Sequence, residues 1–506
     1  MQSAHDMLGR AFGTIPDLIR LHAANRGAAA ALAMDDATLD YAALDACMDR
    51  VAAALQRDGL ARGQAVAIVA ATSITYAVAY LGIVRAGGAA TPIAPSATPE
   101  SIAAMIADCG AGIVFVDAAN AAALARQPIA ATQVLLESWE DWLSPPHTRP
   151  IAIASAPDDP FNIIYSSGTT GSPKGIVQSH AMRWAHVARN AGAGFDSAVT
   201  MIATPLYSNT TLVSFLPTLA WGGTVVLVGK FDARRYLEAA ERHRATHTML
   251  VPVQYQRIMA DPDFGRFDLS AFRFKTCTSA PFAPALKADV LARWPGLLVE
   301  YYGLTEGGGT CLLVCNQFPD KLQTVGRPVE GHDIRLIDDD GNEVAPGGTG
   351  EVVGRSPAMM SGYHGRGEAT AQATWHDARG NGFVRHGDIG RFDADGFLTL
   401  LDRKKDLIIS GGFNIYPVDL EAVLGAHPAV ADCSVIGVAD ARWGETPVAF
   451  YVPAGSTPPE TILADVNAKL GKTQRLSALH AIDDLPRSAI GKVLKRELRD
   501  RLQAHP

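Results

Sequence analysis

The chain has 506 residues, 48% of them hydrophobic, with a formal charge of −8 from 44 basic and 52 acidic side chains. Single cores stop growing near about 250–300 residues, so at least two domains are expected. A mildly acidic chain without a long basic run does not suggest nucleic acid or an anionic membrane surface as a partner, and an anionic ligand would need a local site. Six cysteines (47, 109, 277, 311, 315, 433) make no disulfide framework, which suits a reducing cytoplasm. Cys311 and Cys315, in the apolar run "CLLVC", read as core because no second Cys/His pair at metal spacing lies nearby.

Asp6 and Arg10 precede any apolar run, so no signal peptide is read at the start. Residues 41–58 have the pattern of an alanine-rich amphipathic helix. Residues 65–84 carry no charge and are long enough to span a bilayer. Thr72 and Ser73 nevertheless divide them into a β-like run (65–71) and a helix-like run (74–86), so a packed strand–turn–helix is expected and no stable membrane insertion. "FNII", 161–164, reads as a buried strand, and the loop "YSSGTTGSPKG", Tyr165–Gly175, leaves its end. Glycines 168, 171 and 175 let the backbone approach a ligand, while Ser166, Ser167, Thr169 and Thr170 add hydroxyl donors, as in a phosphate cradle. The P-loop pattern fails here, because with Gly168 as the first place the sixth is Pro173, and Gly175, not Ser or Thr, follows Lys174.

Short apolar runs ("TMIATP", "TVVLVG", "THTMLVP", "FKTCTSA") alternate with helical stretches such as 233–244, predicting α/β layers on largely parallel sheets. Turn signals crowd residues 325–400, as in a small antiparallel β unit. The last hundred residues mix helices (417–425, 460–470) with strands (432–438, 447–452), and the charged run at 403–406 marks the boundary. The division expected is 1–404 and 405–506.

Three further stretches carry chemistry. In "EYYGLTEGGGT", 300–310, Thr305 suits a phosphoryl oxygen and Glu306 a hard cation. Residues 385–421 hold Asp388 and Arg403, types suited to ribose hydroxyls, and "LPRSAIGKVLKREL", 485–498, sets Lys492 beyond a Pro–Gly-punctuated turn.

In this order and spacing, with the phosphate-loop-like segment, these stretches resemble the acyl-adenylate-forming superfamily of acyl-CoA synthetases, peptide-synthetase adenylation domains and luciferases. The chain is most similar to a free-standing acid–CoA ligase. The resemblance covers nearly the whole chain and implies a large N-terminal AMP-binding domain of layered α/β sheets plus a small β unit, then a small mobile α+β lid. It implies ATP, Mg2+ and coenzyme A, and a small carboxylic acid, fatty or aromatic, passing through an acyl-adenylate. A carrier-protein loader is the alternative, a luciferase-like oxygenation is more remote, and a non-catalytic nucleotide-binding protein on the same scaffold comes from another class. A homodimer stays open.

By resemblance, Lys492 would bridge the substrate carboxylate and the α-phosphate, Thr305 would bind that phosphate and Glu306 the Mg2+. Ser166, Ser167, Gly168, Thr169, Thr170, Gly171 and Lys174 would hold the β- and γ-phosphates. Tyr302 with Ser279, Ala280 and Pro281 would sandwich adenine, and Asp388 and Arg403 would hold the ribose. Lys405 falls at the hinge, and Ser410, Gly411 and Gly412 would line the coenzyme A tunnel. Tyr207, Ser208, Asn209, Thr210, Ala280, Gly303, Gly307 and Gly308 are the acyl-pocket candidates. The chain departs from the family at Ser208, where many acyl- and aryl-CoA ligases carry histidine after an aromatic residue, at His386 of "HGD" in place of threonine, and at Glu300. "YSNTTL" has no carboxylate to pair with an ammonium, which disfavours amino acids, and no cation for a dicarboxylate is evident.

Overall fold

The structure, a computed structural model, describes residues 3–165, 173–410, 413–471, 474–488 and 491–504. Two compact units emerge: 1–322 with 328–333 and 355–384, and 323–327 with 334–354 and 385–506.

The first unit is built on two largely parallel sheets. In one, the strands run in the order Gly362–Tyr363, Gly175–Ser179, Pro160–Tyr165, Ala89–Pro92, Ala65–Val69, Ile113–Val116, Thr132–Leu135. The last five are parallel, while Gly175–Ser179 is antiparallel to both its neighbours. Ala65–Val69 and Ile113–Val116 are buried at every position, as unbroken apolar runs must be when both faces of a sheet are covered. The other sheet sets Leu297–Tyr302, Phe274–Cys277, His247–Leu250, Val199–Ile202, Thr224–Leu227 and Ala30–Met34 side by side and parallel. Cys311–Val314 and Ala37–Asp40 join it antiparallel.

Helices Tyr41–Arg57, Ile74–Arg85 and Asn209–Trp221 share one buried cluster with strand residues of both sheets, including Val66, Ile68, Leu32 and Val225. The uncharged stretch 65–84 is thus a strand and a buried helix, broken where the Ser73 side chain caps the helix by accepting from the Tyr76 N–H. Among the described residues no helix is long and apolar enough to cross a membrane. Cys311 and Cys315 are buried and free.

In the second unit, Gly382–Phe392, which enters it at Arg385, pairs antiparallel with Leu398–Arg403. Downstream, Phe413–Ile415, Ile408–Ser410, Gly444–Pro453 and Val430–Asp440 form an antiparallel sheet, with Ala478–Ala481 added parallel to Gly444–Pro453. Helices Pro417–Gly425 and Pro459–Lys469 contribute Leu420, Leu424, Ile462 and Val466 to its core. The contact-based unit reaches back to residue 385, earlier than the charged run at 403–406, because the 382–403 hairpin is tied strand to strand: Asp388 stands opposite Arg403.

Candidate active site

In an open parallel sheet the carboxyl ends of the strands form the edge where backbone leaves the ladder and ligands bind. Here Phe274–Cys277 and Leu297–Tyr302 run in register, Cys277 opposite Glu300, so the segment 279–281 and the segment 302–306 leave neighbouring strand ends. That is where the residues expected around adenine stand. Ser279 has φ +81°, a left-handed conformation that costs a non-glycine residue about 1–3 kcal/mol. Its hydroxyl lies 2.5 Å from the Thr210 hydroxyl, a bond that holds the strained turn against the start of helix Asn209–Trp221.

Thr305 and Glu306 are held by side chains the sequence reading did not single out. Gln178 Nε2 donates to the Thr305 carbonyl at 2.6 Å. Gln178 is in turn fixed by Arg183, which bonds its Oε1, and by Asn162, whose Nδ2 donates to the same oxygen at 2.8 Å. Arg183 also donates to Asn162 Oδ1 at 2.8 Å and Asn209 Oδ1 at 2.9 Å. Burial pushes its pKa down to about 10, which leaves it cationic at neutral pH, and its partners are amides. The Tyr363 hydroxyl donates to Glu306 Oε1 at 3.0 Å, and its ring lies 5.0 Å from Lys174 Nζ. One tyrosine therefore joins the expected cation ligand to the lysine of the expected phosphate loop. The signals for this network were an amide and an arginine five residues apart at a strand–helix junction and a tyrosine far along the chain. Neither has meaning before the chain is folded.

Asn209, Thr210, Gly303, Thr305, Ser279, His186, Arg189 and Tyr301 are among the residues lining one half-open cavity. Phe195, Phe274, Met249 and Val213 supply its apolar wall. Tyr207, Ser208, Ala280, Gly307 and Gly308 do not line it. Ser208 is instead the N-cap of helix Asn209–Trp221, accepting from the Thr210 N–H at 3.3 Å, a local use for serine where histidine was expected. Gly307, φ +76°, passes so close to Ala358 that a Cβ would stand 1.9 Å from its carbonyl oxygen; close backbone approach, not room for a substrate, demands glycine there. Glu300 is buried and paired with the buried Lys287, whose Nζ also donates to the Leu322 carbonyl at 2.6 Å.

The second unit carries the other candidates. Asp388, buried, accepts from Arg403 Nε at 2.7 Å across the hairpin. Lys492 sits in a turn closed by bonds from the Ser488 N–H to the Lys492 carbonyl, 2.8 Å, and from the Lys492 N–H to Ser488 Oγ, 3.2 Å. Burial, then the charges of Arg403 and Lys405, push its pKa down to about 8. Lys405, also lowered chiefly by burial, lies in the turn Lys404–Asp406, and Ser410 ends strand Ile408–Ser410 opposite Gly444. Ser166, Ser167, Gly168, Thr169, Thr170, Gly171, Gly411 and Gly412 lie outside the described residues.

Residues 19–364 match the family described as AMP-binding enzyme, and residues 419–492 its C-terminal domain. A feruloyl-CoA synthase from Amycolatopsis sp is 34% identical over 477 residues, covering 92% of this chain and 94% of that protein. The fatty acid–acyl-carrier-protein ligase ScoC of Streptomyces coeruleorubidus is 31% identical over 504 residues, 96% of each chain. The crystal structure of ATP-bound MatB from Rhodopseudomonas palustris superposes with a TM-score of 0.86 at 28% identity, covering 97% of this chain and 99% of that one.

Proposed function

The chain belongs to the AMP-binding enzyme family, as an AMP-forming acyl-CoA synthetase that activates a carboxylic acid with ATP, and from that premise we propose which residues carry each step. The acid is aromatic or fatty, as the names of the feruloyl-CoA and fatty-acid relatives support. Its carboxylate attacks the α-phosphorus of ATP, forming acyl-AMP and releasing pyrophosphate. The coenzyme A thiol then attacks the acyl carbon, loses its proton and expels AMP. The first step brings a carboxylate up to an anionic triphosphate, so fixed donors and cations must offset the repulsion.

The observation that carries this reading is the Thr305–Glu306 turn, immobilised by Gln178 and Tyr363 beside strand ends, with Thr305 bordering a cavity walled in part by Phe195, Phe274, Met249 and Val213. Thr305 offers its hydroxyl to the α-phosphate, and Lys492 pairs with the reacting carboxylate and that phosphate. Tyr302 and residues 279–281 hold adenine; Asp388 and Arg403 hold the ribose. Glu306 fits Mg2+: a carboxylate with one oxygen already oriented by Tyr363, in a chain whose described residues contain no cluster of three potential ligands, suits an ion that keeps its waters and shares phosphate oxygens. Bound there, Mg2+ would neutralise triphosphate charge.

The purified protein is expected to convert ATP to AMP and pyrophosphate with a dependence on Mg2+ and on the acid; ADP and inorganic phosphate as stoichiometric products would overturn the assignment. Tyr363→Phe keeps the ring over Lys174 and removes the bond to Glu306. It is expected to raise the Mg2+ concentration for half-maximal pyrophosphate exchange about tenfold, the usual size of a lost outer-sphere partner. An unchanged Mg2+ titration would remove Tyr363 from the site. The similarity to ScoC favours a carrier-protein thiol as the second acceptor to test, by comparing thioester formation on coenzyme A with that on a phosphopantetheinylated carrier.

A further inference from the structure

Deeply buried cations are usually matched by carboxylates, and Arg183 is not. It is 1% exposed and makes no ion pair with a described residue; the groups accepting from its Nε and Nη2 are the side-chain oxygens of Asn162, Gln178 and Asn209. A guanidinium carries donors only, so it decides how each of these amides is turned. Each amide oxygen faces the arginine, which leaves each amide nitrogen to bond elsewhere. Asn162 Nδ2 donates to Gln178 Oε1 at 2.8 Å, and Gln178 Nε2 donates to the Thr305 carbonyl at 2.6 Å and to Asn209 Oδ1 at 3.3 Å. Two of the three nitrogens are thus used inside the protein.

The third is not. Asn209 Nδ2 makes no hydrogen bond with a described residue, and unlike Arg183 Nη1 it is not a buried atom lacking a partner, so it is accessible. Asn209, partly accessible, lines the cavity with Thr210, Ser279, Gly303 and Thr305, and its amide nitrogen is therefore a donor offered there. Turning the amide over would set its N–H groups against those of Arg183, so the donor end is fixed. No aspartate or glutamate lines the cavity to oppose negative charge beside it.

The donor also stands close to the expected chemistry. One nitrogen, Gln178 Nε2, touches both the Thr305 carbonyl and Asn209 Oδ1. In an acyl-adenylate the acyl carbonyl joins the α-phosphate to the acyl chain, so a phosphate at Thr305 and a chain in the cavity bring that carbonyl to the border the two residues share.

We propose that Asn209 is a catalytic residue of thioester formation, its Nδ2 donating to the acyl oxygen of the adenylate, with Arg183 as the positioning residue that fixes its direction. This rests on the acyl-CoA synthetase reading above and adds to it a group for the second half-reaction. As the thiol sulfur bonds to the acyl carbon, its proton passes to solvent and the carbonyl π pair moves onto the acyl oxygen. The pair returns when the carbon–oxygen bond to the phosphate breaks and AMP leaves with the bonding electrons. A donor already aimed at that oxygen binds it more tightly as the charge develops, and a cation at the far end of the amide polarises the N–H further. In the first half-reaction the same bond only holds the substrate carboxylate, whose charge falls as it attacks phosphorus.

Asn209→Asp separates this role from a structural one, because it keeps the oxygen that Arg183 requires and removes the donor; Asn209→Ala removes both. Two reactions are read: single-turnover thioester formation from synthetic acyl-AMP and coenzyme A, and pyrophosphate exchange, with cinnamate or octanoate according to which the wild type activates. In both variants thioester formation is expected to fall about a hundred- to a thousandfold, the loss typical of one oxyanion donor, while exchange keeps its kcat within about tenfold and shows a higher KM for the acid. That is the reverse of the pattern expected for a residue serving adenylate formation. If the oxygen matters only as a partner for Arg183, Asn209→Asp will match wild type in thioester formation, and the inference is overturned. Equal losses in the two half-reactions overturn it as well, while leaving the ligase intact. A wild type that supports neither reaction would instead count against the ligase reading itself.

Discussion

Replacing Lys492 with alanine is expected to lower ATP–pyrophosphate exchange about a hundred- to a thousandfold, the range seen when one group stabilising transition-state charge is removed. Only in adenylate formation does a carboxylate meet a phosphate, so thioester formation from supplied acyl-AMP should fall much less. The pKa gives an independent check. Burial and the nearby Arg403 and Lys405 lower Lys492 to about 8, so the required cation is present below that pH and lost above it. Read as kcat/KM for the acid in the exchange reaction, which reports the free enzyme, activity should decline as pH rises through about 8. Lys492→Arg, with a side chain that stays protonated, should flatten that limb even if its rate is lower. Equal loss of both half-reactions in Lys492→Ala, or an alkaline limb unchanged in Lys492→Arg, would remove the lysine from the role.

Lys287→Met should produce the largest loss of stability. Lys287 and Glu300 are 2% and 4% exposed, and burial already raises the Glu300 pKa against the pull of its partner. Removing the ammonium strands a carboxylate in the core and leaves the Leu322 carbonyl without its donor, a change that costs about 3–5 kcal/mol in buried pairs. Because Glu300 lies two residues before Tyr302 on the same strand, the ATP KM should rise as well. Adding Glu300→Gln should recover a substantial part of the loss, since a neutral amide needs no counter-charge. The urea midpoint of the unit holding residues 1–322 reads both variants; a single variant that unfolds no earlier than wild type would show that the pair is dispensable.

The architecture was largely legible before folding because it rests on period and punctuation. Uninterrupted apolar runs became buried parallel strands, and 41–58, 233–244, 417–425 and 460–470 became helices at Tyr41–Arg57, Ala233–Arg242, Pro417–Gly425 and Pro459–Lys469. The order of the motifs likewise pointed to the family that residues 19–364 and 419–492 match. Within the candidate site, Thr305 and Glu306 stood out in the sequence between an aromatic–glycine pair and a glycine run, whereas the side chains that hold them did not.

What the amino-acid sequence determined by itself was therefore the class of fold, the division into a large and a small part, and a chemistry of carboxylate activation. Tertiary structure alone decided which amides and arginine hold Thr305, that Tyr363 meets Glu306 from 57 residues away, that Glu300 has its counter-ion in Lys287, and that Arg189 lines a cavity. The physical reason is range. Helix and strand periods, caps and turns are set by residues a few positions apart, whereas a buried polar group is satisfied by whatever partner the packing of distant elements brings within hydrogen-bond distance, and no local pattern records that choice.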